Sequence, residues 1–286
     1  MPSSHSTPVP TPPRLHRRRR GRLVARAGLV ALALIAVVFA ARWGDEYPPP
    51  ADADPSRHAT VAVFGATGLV GEGVFDAMLR DPDVRMVHVV TRRRTPALEA
   101  AAAAGRATLW MHTDFLDYSA LAPMLAEVDA VYWALGTSAF NVSDEEYSRI
   151  HVDYPVRFVT AWLAARGRER PLSFHLVSGS GASSGSWFHW AREKARAEQL
   201  LVLAADGTGL RVVSYRPGGV LREGAQARWY TSPFWLLRPL KRAIEPSAIG
   251  EAMLEVTARG PAGPAGPLEN RDLLRYANAY RGRRGR

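Results

Sequence analysis

Residues 60–71 read Thr60-Val-Ala-Val-Phe-Gly-Ala-Thr-Gly-Leu-Val-Gly71, an apolar run that passes directly into three glycines spaced three residues apart. An amphipathic run from Val70 to Leu79 follows. This order predicts a strand, a tight glycine turn and a helix. Gly65 would allow the backbone angle with which the chain leaves the strand, and Gly71 would allow the helix to pack closely on that strand.

A glycine turn between a strand and a helix is typical of sites that bind a dinucleotide. Gly68 would let the backbone approach a pyrophosphate, which would accept hydrogen bonds from free amides at the positive end of the helix. The predicted contacts with the cofactor in this segment are Gly65, Ala66, Thr67, Gly68, Leu69, Val70 and Gly71. The alternative is a glycine-rich turn that binds no ligand.

The composition limits the classes of function. The chain has 286 residues, a formal net charge of +10 and no cysteine. The length is sufficient for one large α/β domain with a sizeable core. Much of the charge lies in arginines at the two ends, without a helix-turn-helix, zinc or RNA-binding motif, so we expect no specific nucleic-acid partner. The lack of cysteine excludes disulfides, thiol catalysis and zinc-cysteine sites.

Strand-like and helix-like segments alternate over the rest of the chain. Further strands are predicted at 84–91, 107–112, 128–135, 172–177 and 211–215, and helices include 144–166, 246–259 and 268–280. This alternation predicts one α/β domain over residues 59–286, with a substrate-side segment from about residue 220. Residues 222–241 are apolar and aromatic, which is consistent with either a substrate lid or a packed segment.

Arg92, Arg93 and Arg94 follow the second predicted strand. In a dinucleotide fold this position lies beside the adenosine ribose, where an acidic residue would bind the 2′-hydroxyl of NAD. A guanidinium binds a 2′-phosphate instead, through two hydrogen bonds. The sequence therefore predicts NADP rather than NAD, with Arg92 and Arg93 as contacts. The alternative is a solvated basic turn.

Two later strand ends supply further candidate contacts. Asp114 and Phe115 close the third strand, where a carboxylate and a backbone amide can meet the adenine. Leu135, Gly136 and Thr137 end the fourth strand in another turn of small residues. Because the carboxyl ends of parallel strands share one edge, we expect these residues to line the same crevice.

The first 58 residues form a separate leader. Residues 1–22 are basic and rich in Pro, Ser and Thr, which predicts disorder. Residues 23–43 would reach about 31 Å as a helix, enough to cross a bilayer, but the pattern also fits a cleavable export signal or, less well, a buried soluble helix. Residues 44–58 predict an extended linker. We expect a single N-terminal membrane anchor, on a side that the sequence leaves open.

Eight motifs along the chain are shared with a known family. They are Gly65-Ala-Thr-Gly-Leu-Val-Gly71, Val90-Thr-Arg-Arg93, Leu135-Gly-Thr137, Val152-Asp-Tyr154, Leu176-Val-Ser178, Lys194, Tyr215-Arg-Pro-Gly218 and Leu268-Glu-Asn270. With them, residues from about 59 to 270 resemble the atypical short-chain dehydrogenase/reductases, and within these the branch around the human Tat-interacting protein, oxidoreductase HTATIP. The resemblance implies a doubly wound parallel sheet of the Rossmann type, NADP binding and carbonyl reduction. It also implies that Pro217 and Gly218 border the nicotinamide pocket.

In that family a serine after the fifth strand and a Tyr-x-x-x-Lys on the next helix carry out the chemistry. The tyrosine gives a proton to the carbonyl oxygen, the lysine lowers its pKa and holds the nicotinamide ribose, and the serine stabilises the oxyanion. Ser178 matches the serine, with Ser180 as second choice, and Lys194 matches the lysine. Trp190 stands at the tyrosine position, and an indole does not exchange a proton near neutral pH.

Three hypotheses address this substitution. His189 acts as the acid, although a rotation of about 100° separates it from the position of Trp190. Alternatively, the protein binds NADP without turnover, as a redox-sensing or scaffolding module with Trp190 near the nicotinamide. In the third, a reductase or isomerase uses another acid or water. The expected partners are NADP(H), an unidentified small-molecule substrate and a membrane that binds the N-terminal segment.

Overall fold

The computed structural model describes residues 26–35, 37, 48, 51–221 and 243–285, and the chain divides into two compact units, residues 1–44 and 45–286. In the first unit, residues 26–35 and 37 are helical. Within the described ranges, no helix combines the length and apolar character that a bilayer crossing requires. The leader 1–22, part of the span 23–43 and the segment 222–241 lie outside the described residues, so the anchor and the lid stay predictions.

The second unit is built around a parallel sheet. Its strands are β1 (Thr60–Phe64), β2 (Met86–Thr91), β3 (Ala107–Met111), β4 (Ala130–Trp133), β5 (Leu172–Val177), β6 (Leu210–Arg216) and β9 (Leu268–Glu269), while β7 (Gly219–Val220) and β8 (Ala243–Ile244) form a separate pair. The strand order β3-β2-β1-β4-β5-β6-β9, with every neighbour parallel, is the doubly wound arrangement. The predicted Rossmann fold is confirmed.

Helices cover both faces of this sheet. They are α1 (Leu69–Arg80), α2 (Pro96–Ala103), α3 (Ala122–Leu125), α4 (Asp144–Ser148), α5 (Tyr154–Arg166), α6 (His189–Ala205), α7 (Pro246–Arg259) and α8 (Asn270–Arg284). Side chains of β1 alternate between the two faces, so Val61 and Val63 join a core with α1, α2, α7 and α8, whereas Ala62 and Phe64 join a core with α3, α5 and α6. Burial on both sides explains why this strand is apolar throughout.

Two predicted helices differ in the structure. The helix expected over 144–166 is divided into α4 and α5 by a π-helical turn at Arg149–Asp153. Pro155 lies in the first turn of α5, where its missing amide hydrogen removes a bond to the preceding turn. The helix expected over 268–280 begins instead at Asn270, because Leu268 and Glu269 pair with the end of β6 as the seventh strand.

Helix α1 is held closely against α7. A Cβ added to Gly73 would lie 2.2 Å from the Cβ of Pro246, and one added to Gly250 would lie 2.8 Å from the Cα of Val74. Such contacts bring the two helix backbones together without intervening side chains. This packing fixes the position of α1, and with it the glycine turn at its start.

Candidate dinucleotide site and catalytic residues

The glycine turn between β1 and α1 leaves no space for side chains at two positions. Gly65 has a φ of +83°, in the left-handed region, and a Cβ there would lie 2.6 Å from the backbone of Ala134. A Cβ on Gly71 would lie 2.0 Å from the carbonyl oxygen of Gly65. The turn therefore requires glycine at both positions.

The start of α1 presents backbone amides. Gly68 is the N-cap residue; it contributes no side-chain cap, and its amide donates to the Gly65 carbonyl at 2.9 Å. The first amides of the helix, at Leu69 and Val70, have no carbonyl one turn earlier in the helix to bind. A Cβ added to Gly68 would be in van der Waals contact with the Gly65 carbonyl oxygen at 3.4 Å. This end of the helix is suited to an anion.

A cleft of about 450 Å³ lies at the carboxyl edge of the sheet beside this turn. Eight of the predicted cofactor contacts line it, namely Gly65, Thr67, Gly68, Arg92, Arg93, Phe115, Leu135 and Gly136. The sequence did not identify three other lining residues, Val90, Thr91 and Ala134, although each lies at the end of a strand on this edge. The remaining predicted contacts, Ala66, Leu69, Val70, Gly71, Asp114, Thr137, Lys194, Pro217 and Gly218, do not line this cleft.

The two predicted arginines have different surroundings. Arg93 is tied to the glycine turn, because its Nη2 donates to the Thr67 carbonyl at 3.4 Å. Its backbone amide also donates to the Thr91 hydroxyl, which in turn donates to the Arg93 carbonyl at 2.9 Å. Arg92 is exposed and lines the same cleft. The guanidinium of Arg92 is thus the better placed of the two to meet a ligand.

Phe115 and Asp114, the two predicted contacts after β3, have different surroundings. Phe115 is buried and lines the cleft. Asp114 is exposed, and its carboxylate accepts a hydrogen bond from the Leu116 amide at 3.0 Å within its own loop. The carboxylate therefore stabilises the loop that carries Phe115.

Ser178 and Lys194 lie beside each other at the end of β5. The Ser178 hydroxyl is buried and has no hydrogen-bond partner among the described residues. The half-buried Lys194 donates from its Nζ to the carbonyl of Val177, the residue before this serine, at 3.4 Å. Burial lowers the pKa of Lys194 to about 8, and the charge of Glu198 opposes that shift. A buried hydroxyl without a partner is costly unless a ligand uses it.

Trp190 and His189 point to different parts of the structure. The Trp190 ring packs on the loop after β5, since Cβ atoms added to Gly179 and Gly181 would lie 3.8 and 3.6 Å from it. The His189 ring turns to α4, with Nε2 at 3.2 Å from the Asp144 carbonyl and 3.3 Å from the Ser148 hydroxyl. His189 thus contacts α4, whereas Lys194 contacts β5.

His151 is a site residue that sequence reasoning missed. Its Nε2 lies 3.2 Å from the Thr137 amide and 3.0 Å from the Thr137 carbonyl, and a Cβ on Gly136 would lie 2.7 Å from the ring. The ring also packs on Tyr147 at 4.1 Å between centroids. Burial, together with the charge of Lys194, lowers the pKa of His151 to about 3. A neutral imidazole therefore supports the loop after β4, and only its sequence neighbours Val152-Asp-Tyr154 indicated the region.

We expect protonation of His151 to oppose folding in mild acid. The unfolded chain binds this proton below about pH 6.5, whereas the folded chain does not bind it until the pH approaches 3. This residue should therefore reduce the unfolding free energy by about 1.4 kcal/mol per pH unit as the pH falls through that window. Urea unfolding from pH about 7 to 5 should show a shallower pH slope for His151→Asn than for wild type; parallel slopes would contradict the assignment.

The last predicted residues lie in the loop after β6. The Ser180 amide donates to the Pro217 carbonyl at 3.0 Å, which joins this loop to the one after β5. The Gly218 amide donates to the side-chain oxygen of Asn270 at 2.8 Å. The first of these bonds brings Pro217 close to the loop that begins with Ser178, and a place at the border of a nicotinamide pocket stays a prediction.

A second cavity of about 700 Å³ lies between α6 and β6. It shares no lining residue with the glycine-turn cleft. Its two charged lining residues pair with each other, since Arg216 forms two hydrogen bonds with Glu198 at 2.6 and 3.0 Å. We therefore place the candidate active site at the glycine turn and the end of β5 instead.

These features fit a nicotinamide dinucleotide. The start of α1 has amides suited to a pyrophosphate, and Arg92 lines the cleft beside them. The Ser178 hydroxyl, which has no hydrogen-bond partner in the described part of the chain, follows β5, and Lys194 reaches from α6 to the end of the same strand.

Comparison with known proteins agrees with this geometry. The protein named "Protein fmp52, mitochondrial" from Aspergillus fumigatus is 27% identical over 173 residues, which cover 59% of this chain and 70% of that protein. A solved oxidoreductase of the short chain dehydrogenase/reductase family from Burkholderia thailandensis has a TM-score of 0.56 and 23% identity, over 73% of this chain and 90% of its own. The UDP-glucuronic acid 4-epimerase from Bacillus cereus, solved in complex with NAD, has a TM-score of 0.54 and 14% identity, over 73% and 76%.

A family model extends these similarities. The model described as "NAD dependent epimerase/dehydratase family" matches residues 61–228, more than half of the chain. Its match confirms the prediction of a short-chain dehydrogenase/reductase-type Rossmann protein and implies a nicotinamide cofactor, while the Tat-interacting-protein branch stays a prediction. The glycine turn and the cleft lie inside the matched residues, and the chain belongs to the NAD dependent epimerase/dehydratase family.

Proposed function

We propose that the protein is an NADP(H)-dependent oxidoreductase that acts on a carbonyl or hydroxyl group of a small molecule. The observation that supports this most is the shared sheet edge, where the cleft lined by Gly68 and Arg92 is followed by the unpartnered Ser178 hydroxyl and Lys194. The first two would bind the cofactor, and the last two would meet the reacting group.

Each of these residues has a distinct task in this proposal. When bound, the nicotinamide supplies or accepts the hydride. The Ser178 hydroxyl would donate a hydrogen bond to the substrate oxygen as negative charge develops on it. The amides at the start of α1 would hold the pyrophosphate, which fixes the cofactor relative to that oxygen. His151, neutral and packed on Gly136, would keep the loop after β4 in place along the cleft.

The preference for NADP over NAD rests on Arg92. It is exposed in the cleft, and no acidic residue lines this cleft within the described part of the chain. A 2′-phosphate would therefore find a guanidinium, whereas a 2′-hydroxyl would find no carboxylate to accept its hydrogen bond. Arg93 would support this turn through its bond to the Thr67 carbonyl.

We expect the protein to bind NADPH at least about tenfold more tightly than NADH, because a charge-assisted pair with the 2′-phosphate contributes about 1.5 kcal/mol or more. Arg92→Ala should lose most of this difference by weakening NADPH binding alone. Arg94→Ala is the matched control, since this arginine belongs to the same turn but does not line the cleft. Fluorescence titration of the three proteins with both nucleotides measures the six affinities, and equal binding of NADPH and NADH by wild type would refute the assignment.

A second candidate function is NADP binding without turnover, as a redox-sensing or scaffolding protein. Trp190 favours it, because this residue replaces the tyrosine that transfers the proton in related enzymes and packs on the loop after β5. Purified protein with NADPH and a panel of aldehydes and quinones separates the two functions. Oxidation of NADPH that depends on a carbonyl compound supports the oxidoreductase, whereas tight binding without oxidation supports the sensor.

A further inference from the structure

The proposed oxidoreductase requires a proton donor. Trp190, His189, His151 and Tyr147 do not supply it. The indole of Trp190 does not give up a proton near neutral pH. The His189 ring is directed to Asp144 and Ser148 on α4. His151 has a pKa of about 3 and is therefore neutral, and burial raises the pKa of Tyr147 to about 12.

Lys194 is the remaining titratable group at the end of β5 within the described residues. Its Nζ reaches the Val177 carbonyl at 3.4 Å, which places it next to the residue that carries the unpartnered Ser178 hydroxyl. Its charge also acts on His151, whose ring packs on Gly136 at the edge of the cleft. The ammonium group thus lies at the end of β5, beside Ser178 and close enough to His151 for its charge to act there.

Lysine is rare in this chain. Of the 37 basic residues, only Lys194 and Lys241 are lysine, and all the others are arginine. An arginine holds a charge and donates hydrogen bonds, but it does not release its proton at physiological pH. Lys194 thus carries a proton that can be released, which an arginine at the same position would not.

We propose that Lys194 is the proton donor of this enzyme and takes the role that a tyrosine has in related enzymes. The proposal rests on the oxidoreductase function proposed above. It assigns to Lys194 a catalytic contact with the substrate oxygen, in addition to any hydrogen bond with the nicotinamide ribose.

The protonation chemistry of this site suits such a donor. Burial lowers the pKa of Lys194 to about 8, while Glu198, four residues later on α6, raises it. His151, which faces the lysine from the π turn, is neutral and adds no repulsion. A group with a pKa close to the working pH is protonated often enough to act and releases its proton readily.

The reduction balances with this donor. The carbonyl carbon receives the hydride, with its electron pair, from the reduced nicotinamide, which is thereby oxidised. The carbonyl π electrons move to the oxygen, where the Ser178 hydroxyl donates a hydrogen bond. An N–H bond of the Lys194 ammonium breaks, an O–H bond of the product alcohol forms, and the neutral amine takes a proton back from water.

The kinetic test uses Lys194→Arg, which keeps the charge and the hydrogen-bond donors but not the transferable proton. We expect kcat for carbonyl reduction to fall by about 10²-fold or more, with the Kd of NADPH within a few-fold of wild type. Arg196→Lys, an exchange of basic side chains at an exposed position of the same helix, should keep wild-type kcat. Wild-type kcat should decrease as the pH rises through 8. Turnover retained in Lys194→Arg would overturn the proposal.

A second readout does not depend on turnover. In the Lys241→Arg protein, Lys194 is the single lysine, so isotopically labelled lysine gives one side-chain resonance to follow by NMR. A titration midpoint near pH 8 supports the assignment, and a midpoint near 10.5 overturns it. Failure of wild type to bind NADPH would refute the proposed function itself. NADPH binding without turnover would overturn the role of Lys194 and leave the sensor.

Discussion

A Gly71→Ala variant is expected to lose about 1–2 kcal/mol of unfolding free energy and to bind NADPH much more weakly. The added methyl group would lie 2.0 Å from the oxygen and 2.5 Å from the carbon of the Gly65 carbonyl, so the end of β1 and the start of α1 must separate. Overpacking costs about 1–3 kcal/mol, which exceeds the roughly 1 kcal/mol that alanine gains over glycine within a helix. The separation would also displace the Leu69 and Val70 amides from the pyrophosphate.

Two other glycines in helices provide controls for this prediction. Gly282 in α8 has no atom within 4 Å of an added Cβ, so Gly282→Ala should leave stability unchanged or slightly raised. Gly73→Ala meets the backbone of Pro246 at 2.4 Å, so it should lose stability with a smaller effect on NADPH binding. Urea unfolding and fluorescence titration measure both quantities. A Gly71→Ala protein as stable as Gly282→Ala would show that the turn does not depend on this contact.

The sequence predicts those parts of the site whose residues lie close together in the chain. The run of residues 60–71 contains its own strand, turn and helix signals, and the arginines after β2 are adjacent to it in the fold because parallel strands end at one edge. Eight of the residues chosen in this way line one cleft. Site residues that belong to a strand and the turn after it can therefore be predicted from the sequence.

Residues that act through distant partners were not predictable in the same way. His175 is wholly buried, and its Nε2 lies 2.9 Å from the Thr257 hydroxyl, 82 residues away, while its Nδ1 lies 2.8 Å from the Tyr215 hydroxyl. His151 likewise belongs to the site only because a π turn directs its ring to the loop after β4. Neither contact leaves a periodic pattern in the sequence, since each depends on how separate elements pack.

Asp81, at the end of α1, is another residue of this kind and links the dinucleotide half to the C-terminal helix. It is wholly buried, and its carboxylate accepts hydrogen bonds from the Tyr280 hydroxyl at 3.0 Å and the Asp83 amide at 2.8 Å. It also pairs with Arg284 of α8 and lies 3.5 Å from His58 Nε2. Burial raises the pKa of Asp81, but hydrogen bonds from His58 and the Asp83 amide outweigh it, so the net pKa lies well below its usual value.

Asp81→Ala is therefore expected to lower the unfolding free energy by about 3 kcal/mol, because it leaves Tyr280, His58 and Arg284 without their shared acceptor. Asp83→Ala is the control, since its carboxylate is partly exposed and pairs with the same arginine, so its loss should stay below about 1 kcal/mol. Urea unfolding of both variants at neutral pH makes the comparison. Equal losses would show that α8 is held by surface charge rather than by the buried carboxylate.

The difference in unfolding free energy between wild type and Asp81→Ala should depend on pH, and this dependence tests whether Asp81 is ionised. A carboxylate with a lowered folded pKa contributes stability that is fully present above the unfolded pKa of about 4 and is lost as the pH falls towards the folded value. The gap between wild type and Asp81→Ala should therefore stay constant from pH about 7 to 5 and shrink only below pH about 4. A gap that closes already near pH 6 would contradict an ionised Asp81 whose pKa is lowered in the folded chain.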